Sequence, residues 1–149
     1  MSAQIQLSPG EIAVANVIAS LRQAVNRTAN ITNLKAGPQD PMTTELVGIY
    51  GELAFAKYAN VWPDLSIHLR NGSYDAKVGT YDIDVKSSRG YRWKVDPRPG
   101  KCPMFYVFTH VEYATVNLMG WQAAVTLQEH EVEWVLPDHL EPMQSFPNV

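Results

Sequence analysis

Cysteine is almost missing from this sequence: Cys102 is the single one among 149 residues. An internal disulfide framework and a zinc site built from several thiolates are thereby excluded, and a reducing compartment is the natural setting. Long apolar runs are missing as well. Nowhere do about 18 apolar residues stand together, and the first residues lack the basic-then-apolar order of an export leader, so no membrane partner is expected and the cytoplasm is the expected location. Positive charge is not in excess either: 12 Lys and Arg stand against 15 Asp and Glu, a formal net charge of −3 with a pI near 5.7. Any contact with nucleic acid must therefore come from a local patch. The four histidines, His68, His110, His130 and His139, lack metal-ligand spacing, and Cys102 has no evident base partner.

What is present suits one compact domain over residues 1–149, with 46% hydrophobic residues and an irregular, proline-containing tail from about residue 136. Ser8, Pro9 and Glu11 predict a capped helix start. Val14, Val17, Ile18, Leu21 and Val25 follow at the spacing of one buried stripe, in a helix ending near Asn30. Gly37, Pro38 and Pro41 break the chain before Thr43 or Thr44 caps a second helix. That helix runs to about Tyr58, with Leu46, Ile49, Tyr50 and Leu53 as its apolar stripe. Gly48 and Gly51 within it predict close approach to another part of the backbone, since each costs a helix roughly 1 kcal/mol against alanine.

After Pro63 the period changes from 3.6 to 2. Ser66 to Arg70 reads as a strand before an Asn71-Gly72 turn, and Tyr74 to Val78 and Tyr81 to Lys86 alternate with Tyr74, Ala76, Val78, Tyr81, Ile83 and Val85 on the core face. Gly79-Thr80 matches a two-residue hairpin, which fixes the register: Val78 faces Tyr81, Lys77 faces Asp82, Ala76 faces Ile83, and Asp75 falls opposite Asp84, with Lys86 two residues further on. Directly opposed carboxylates repel at about 5 Å between Cβ atoms. A divalent cation turns that repulsion into a site, because Mg²⁺ takes carboxylate oxygens and keeps water for chemistry, and Lys86 then offsets phosphate charge or assists the water.

Asp75 followed by Asp84-Val85-Lys86 resembles the signature of the PD-(D/E)xK nucleases. The segment Gly48-Ile-Tyr-Gly-Glu52-Leu-Ala-Phe resembles their helical acidic motif, and the likeness extends over about residues 43 to 120. The apolar segments Met104 to Val111 and Ala114 to Met119 and the Gly120-Trp121 pair resemble small phage-encoded members, which would place the protein in a bacterial host cytoplasm. The resemblance implies a restriction-endonuclease-like α/β core: two N-terminal helices followed by a central mixed sheet. It also implies Mg²⁺-dependent hydrolysis of DNA phosphodiesters, with Mn²⁺ able to substitute. Glu52, Asp75, Asp84 and the Val85 carbonyl are the implied metal ligands, and Lys86 the implied assistant to the attacking water. Tyr74 stands where the signature has proline, and the Gln-x-x-x-Tyr of the exonuclease branch is absent after Lys86. Endonuclease and exonuclease action both remain open.

Rival assignments exist for these residues. Glu45 suits a structural role in the first turn of its helix, and Asp82 is explained by Lys77. Six of the 12 basic residues, Lys86, Arg89, Arg92, Lys94, Arg98 and Lys101, lie between positions 86 and 101, interleaved with Tyr91 and Trp93. This segment is the expected nucleic-acid surface, with Trp93 stacking on a base. The alternative to a nuclease is a catalytically silent version of the fold that binds nucleic acid or a protein partner.

Overall fold

The computed structural model describes residues 3–28, 41–65, 75–96 and 103–147, except the side chains of 26–28, 41 and 42. Strand β1 (Ala3–Gln6) precedes helices α1 (Pro9–Thr28) and α2 (Pro41–Ala59); then come β2 (Ala76–Val78), β3 (Tyr81–Ser88), β4 (Trp93–Lys94), β5 (Phe105–Glu112), β6 (Thr115–Ala123), α3 (Ala124–Glu129) and β7 (Trp134–Val135). The class is mixed α/β. The expectation that helices open the chain is corrected by β1, which pairs with the first half of β6 from Ala3–Leu118 to Gln6–Thr115. Four residues with a two-residue alternation are too short a signal to register before a strong helix cap. The main sheet has the order β1-β6-β5-β3-β2, with β3 and β5 parallel and the other pairs antiparallel; β4 and β7 form a second, two-stranded sheet.

The start of α1 follows the sequence closely. The Glu11 N–H donates to Ser8 Oγ at 3.1 Å and the Ser8 N–H donates to Glu11 Oε1 at 2.7 Å, a reciprocal capping box that satisfies two donors of the first turn. Its buried stripe is not the one expected. Val14, Val17 and Leu21 are 43%, 58% and 47% exposed, whereas Ala15 and Ala19 are fully buried. The small side chains let α1 lie close against α2; of the expected stripe Ile18 does pack against the core, whereas Val14, Val17 and Leu21 are left outside.

Helix α2 is buried nearly all round, with Ile49, Leu53, Ala54, Phe55 and Ala56 in the core. Gly51 explains its fit to the sheet: a Cβ there would fall inside contact distance of the hydroxyls of Ser87 on β3 and Thr109 on β5, which bond each other at 2.8 Å. The expected approach to another backbone is thus corrected: Gly51 makes room for side-chain hydroxyls, and Gly48 has open space around it. Since α2 begins at Pro41, Glu45 lies beyond the first turn, and the helix-dipole role expected for it is not supported.

The hairpin register stands as read: Ala76–Ile83, Lys77–Asp82 and Val78–Tyr81 pair around Gly79 at φ +61°. Lys77 Nζ lies 3.1 Å from Asp82 Oδ1, an ion pair outside hydrogen-bond geometry. Strand β5 is covered on both faces. Val107 and Val111 join Ile83 and Val85 in the main core beneath α2, while Tyr106 and Phe108 join Trp93, Val95, Leu127 and Val135 in a second cluster. The tail returns as expected, burying Met143 and Phe146, and Glu141 exchanges backbone hydrogen bonds with Trp121. Gly120 is required there, because a Cβ would collide with Glu141 O and Leu140. The segment Ser66 to Tyr74 and residues Asn30, Arg98, Lys101 and Cys102 lie outside the described residues.

Candidate active site

Strand β2 pairs with β3 only as far as Ile83, so from Asp84 onward the outer edge of β3 is left without a neighbouring strand among the described residues. Asp75 occupies this corner. Its N–H donates to Ile83 O at 3.0 Å, and its Oδ2 accepts the Val85 N–H at 2.7 Å. The expectation that Asp75 stands directly across from Asp84 in the ladder is thus corrected: the ladder stops one pair earlier, and the Asp75 carboxylate takes the place of the missing strand. Because the N–H and C=O of a strand residue point to the same side, the Val85 carbonyl shares this edge.

The two acids nevertheless meet. Asp75 hydrogen-bonds both Glu52, reaching in from α2, and Asp84. Cations close the two ends of the row. Arg22 of α1 donates from Nη1 to Glu52 Oε2 at 3.2 Å and from Nη2 to Asp64 O at 2.7 Å, while Lys86 Nζ stands 2.9 Å from Asp84 Oδ2 and over the Tyr106 ring. The order is Arg22, Glu52, Asp75, Asp84, Lys86: three carboxylates between two cations. All four residues that the sequence singles out are brought together, and Arg22 joins them. Its signal in the sequence is faint: it is one of two arginines, with Arg27, that follow Glu11 along the helix, and nothing local marks it out.

The electrostatics follow from burial and from the proximity of three carboxylates. Burial lifts the Glu52 carboxyl from 4.5 to about 7, although Arg22 pulls the other way. Burial, and then the charges of Glu52 and Asp84, raise Asp75 well above the usual carboxylate range. Burial disfavours the Lys86 ammonium, yet the Asp84 carboxylate outweighs it and the net shift is upward; Lys86 stays a cation at neutral pH. Among the described residues no three His, Cys, Asp or Glu side chains form a ready cage for a metal ion. That agrees with a row whose end members are already turned toward Arg22 and Lys86.

The basic segment is placed differently from expectation. Trp93 is 2% exposed, packs on Phe108 and donates Nε1–H to Thr109 O at 2.8 Å, so the base-stacking role expected of it is corrected to a core role. Arg92 and Lys94 are exposed and straddle the Trp134 ring, with Lys94 also 3.6 Å from Glu133. Tyr91 is the exposed aromatic of this segment, stacked on His110, whose Nδ1–H donates to Gly90 O at 2.9 Å in a packing role. Arg89 is exposed. Among the described residues no helix is long and apolar enough to cross a membrane. No protein-family model, curated protein or solved structure matches the chain.

Proposed function

We propose that the protein is a Mg²⁺-dependent deoxyribonuclease, in keeping with the PD-(D/E)xK signature, with a restriction-endonuclease-like core and Glu52, Asp75, Asp84 and Lys86 as its working residues. The observation that carries this reading is the row itself: three partly buried carboxylates side by side, with Arg22 and Lys86 as the two cations paired to them among the described residues. A buried structural ion pair matches each charge, because an unmatched one costs several kcal/mol. Among the described residues the row holds one more carboxylate than cation, and burial and mutual repulsion raise Asp75 well above the usual carboxylate range, an imbalance that a bound cation would offset.

The donor set fits a hard divalent ion, being all oxygen, with Asp84 and Lys86 partly exposed. Asp75, Asp84 and the Val85 carbonyl would hold it, with Glu52 joining as Arg22 releases it. A bound Mg²⁺ supplies Lewis acidity toward the phosphate and an activated water. The protein's own groups do the rest. Asp75, fixed by the Val85 N–H, positions the acidic edge, and Lys86, kept protonated by Asp84, stabilises the charge that grows on the phosphate rather than acting as the base.

A second reading is favoured by one observation: Glu52 is already engaged by Arg22, as in a fold whose acids serve only stability. In that case the chain is a silent nucleic-acid or protein-binding module. The two are separated by incubating linear, circular, single-stranded and branched DNA with Mg²⁺, Mn²⁺ or EDTA, against Asp84→Ala. Metal-dependent cleavage lost in the variant supports the nuclease; no cleavage of any substrate under any metal sinks it.

A further inference from the structure

A second feature lies across α2 from the acids. Leu46, Val47 and Tyr50 of α2, Val111 at the end of β5, Tyr113 in the β5–β6 turn and Arg89 beyond β3 line a pocket of about 190 Å³. Its walls are apolar and aromatic, and Arg89 is the one charged residue on them. Among the described residues Arg89 has no ion pair or hydrogen bond. Successive helix residues turn by about 100°, so Glu52, two residues after Tyr50, projects from nearly the opposite side of α2. Pocket and acid row are thus about one helix diameter apart, roughly 10 Å.

Tyr113 adds an independent observation. It sits at φ +54°, in the left-handed region that favours glycine, and it is 84% exposed. A bulky residue there is strained by roughly 1 to 2 kcal/mol and gains little packing in return, so stability does not account for a tyrosine at the tip of this turn. It holds an aromatic ring at the mouth of the pocket.

We propose that this pocket binds one unpaired nucleotide, its base against the Tyr50 and Tyr113 rings and its phosphate on Arg89. The inference rests on nucleic acid being the ligand of the site across α2. An apolar aromatic recess accepts a base without reading its edges, and a lone guanidinium supplies the matching charge for one phosphate. Because α2 lies between pocket and acid row, a strand that reaches both must pass around the helix, a path longer than its diameter of roughly 10 Å and thus of more than about three nucleotides at about 3.4 Å each. The substrate class is therefore DNA with a single-stranded end, flap or gap beside the cleaved bond, and a fully paired duplex leaves the pocket empty.

The test is fluorescence anisotropy of a labelled single-stranded oligonucleotide with Asp84→Asn protein in Mg²⁺, so that binding is read without turnover. Into this background go Arg89→Ala, Tyr113→Gly and Leu46→Trp, the last filling the pocket without touching its charge. Tyr113→Gly relieves the positive-φ strain, so its melting temperature should equal or exceed that of the parent, which separates a binding defect from misfolding. Each of the three should weaken the oligonucleotide about tenfold and leave a blunt duplex unaffected. Competition by dAMP would show that a free nucleotide suffices, and its failure that the nucleotide must be part of a strand; both support the pocket. Unchanged affinity in Tyr113→Gly and Leu46→Trp overturns it, even if Arg89→Ala binds more weakly. Wild-type cleavage is measured alongside: Mg²⁺-dependent cleavage with pocket variants that bind normally removes the pocket and keeps the nuclease, whereas pocket-dependent binding without cleavage does the reverse.

Discussion

Beneath α2, five charged side chains stand in one row, largely withdrawn from water and within hydrogen-bond reach of their neighbours; along the segment after β3, Arg89, Arg92 and Lys94 are spread in solvent. Exposed charges cost the fold almost nothing, and their pairs contribute at most about 1 kcal/mol, so their presence needs no special cause. The buried row is a different matter, because each unmatched carboxylate there opposes folding. Burial is what separates the two clusters as functional candidates: the basic residues stand close together in the sequence, whereas the row is assembled only by the fold.

The comparison is sharpened most by variants that remove one carboxylate. Asp84→Asn and Glu52→Gln should each abolish Mg²⁺-dependent DNA cleavage in a gel assay, whereas Glu45→Gln should keep it. Retained cleavage in Glu52→Gln would mean that the Arg22–Glu52 pair is only structural.

The next largest effect is on stability. Arg22→Ala leaves Glu52 buried beside Asp75 without its cation, a change of roughly 3–5 kcal/mol for a buried pair. Because Glu52 can take up a proton near pH 7, the loss should fall at the lower end and shrink as pH is lowered. Urea unfolding of the metal-free variant at two pH values checks this. A loss below about 0.5 kcal/mol at both would place the row among surface pairs.

How much of this is legible in the sequence depends on the range of the forces involved. The α1 cap and the β2–β3 register are set by neighbouring residues and can be read directly. The partnership of Glu52 with Asp75 is accessible only through a family resemblance. Arg22 escapes notice because its partners lie 30 and 42 positions away. Periodicity assigns the wrong buried face to α1 because Ala15 and Ala19 signal close packing only once the helix behind them is known. Trp93 misleads because an aromatic among basic residues reads alike whether it faces solvent or the second core cluster.

A smaller, pH-dependent effect follows from Glu52. Its folded value of about 7 lies above its ordinary 4.5, so between those limits the native protein binds more protons than the unfolded chain. The stabilisation is complete below about 4.5 and is lost as pH rises through about 7. In EDTA the melting temperature should therefore fall across that window by a few degrees, and Glu52→Gln should flatten the fall. Asp75→Asn should flatten it too while keeping the oxygen that accepts the Val85 N–H. A flat wild-type profile would break the claim that burial sets the ionisation of the row.

The smallest expected effect belongs to the exposed segment. Arg92 lies over Trp134 at 4.5 Å and Lys94 at 5.8 Å, so both must leave or share that ring to reach a phosphate. Cation–ring contacts at exposed sites are worth about 0.5–1 kcal/mol, comparable to a screened phosphate contact, and the net gain on binding DNA is correspondingly small. Replacing both by alanine should lower the slope of log K against log salt by at most about one for each phosphate no longer neutralised, leave metal affinity unchanged, and weaken all DNA sequences alike. Trp134→Ala frees the two cations from their ring without removing charge, and should leave that slope at least as steep as in the parent. Anisotropy across a salt series with Asp84→Asn protein decides it. A double variant with parental slope and affinity would show that DNA bypasses this segment, and would leave Arg89 as the candidate phosphate contact of the described basic residues.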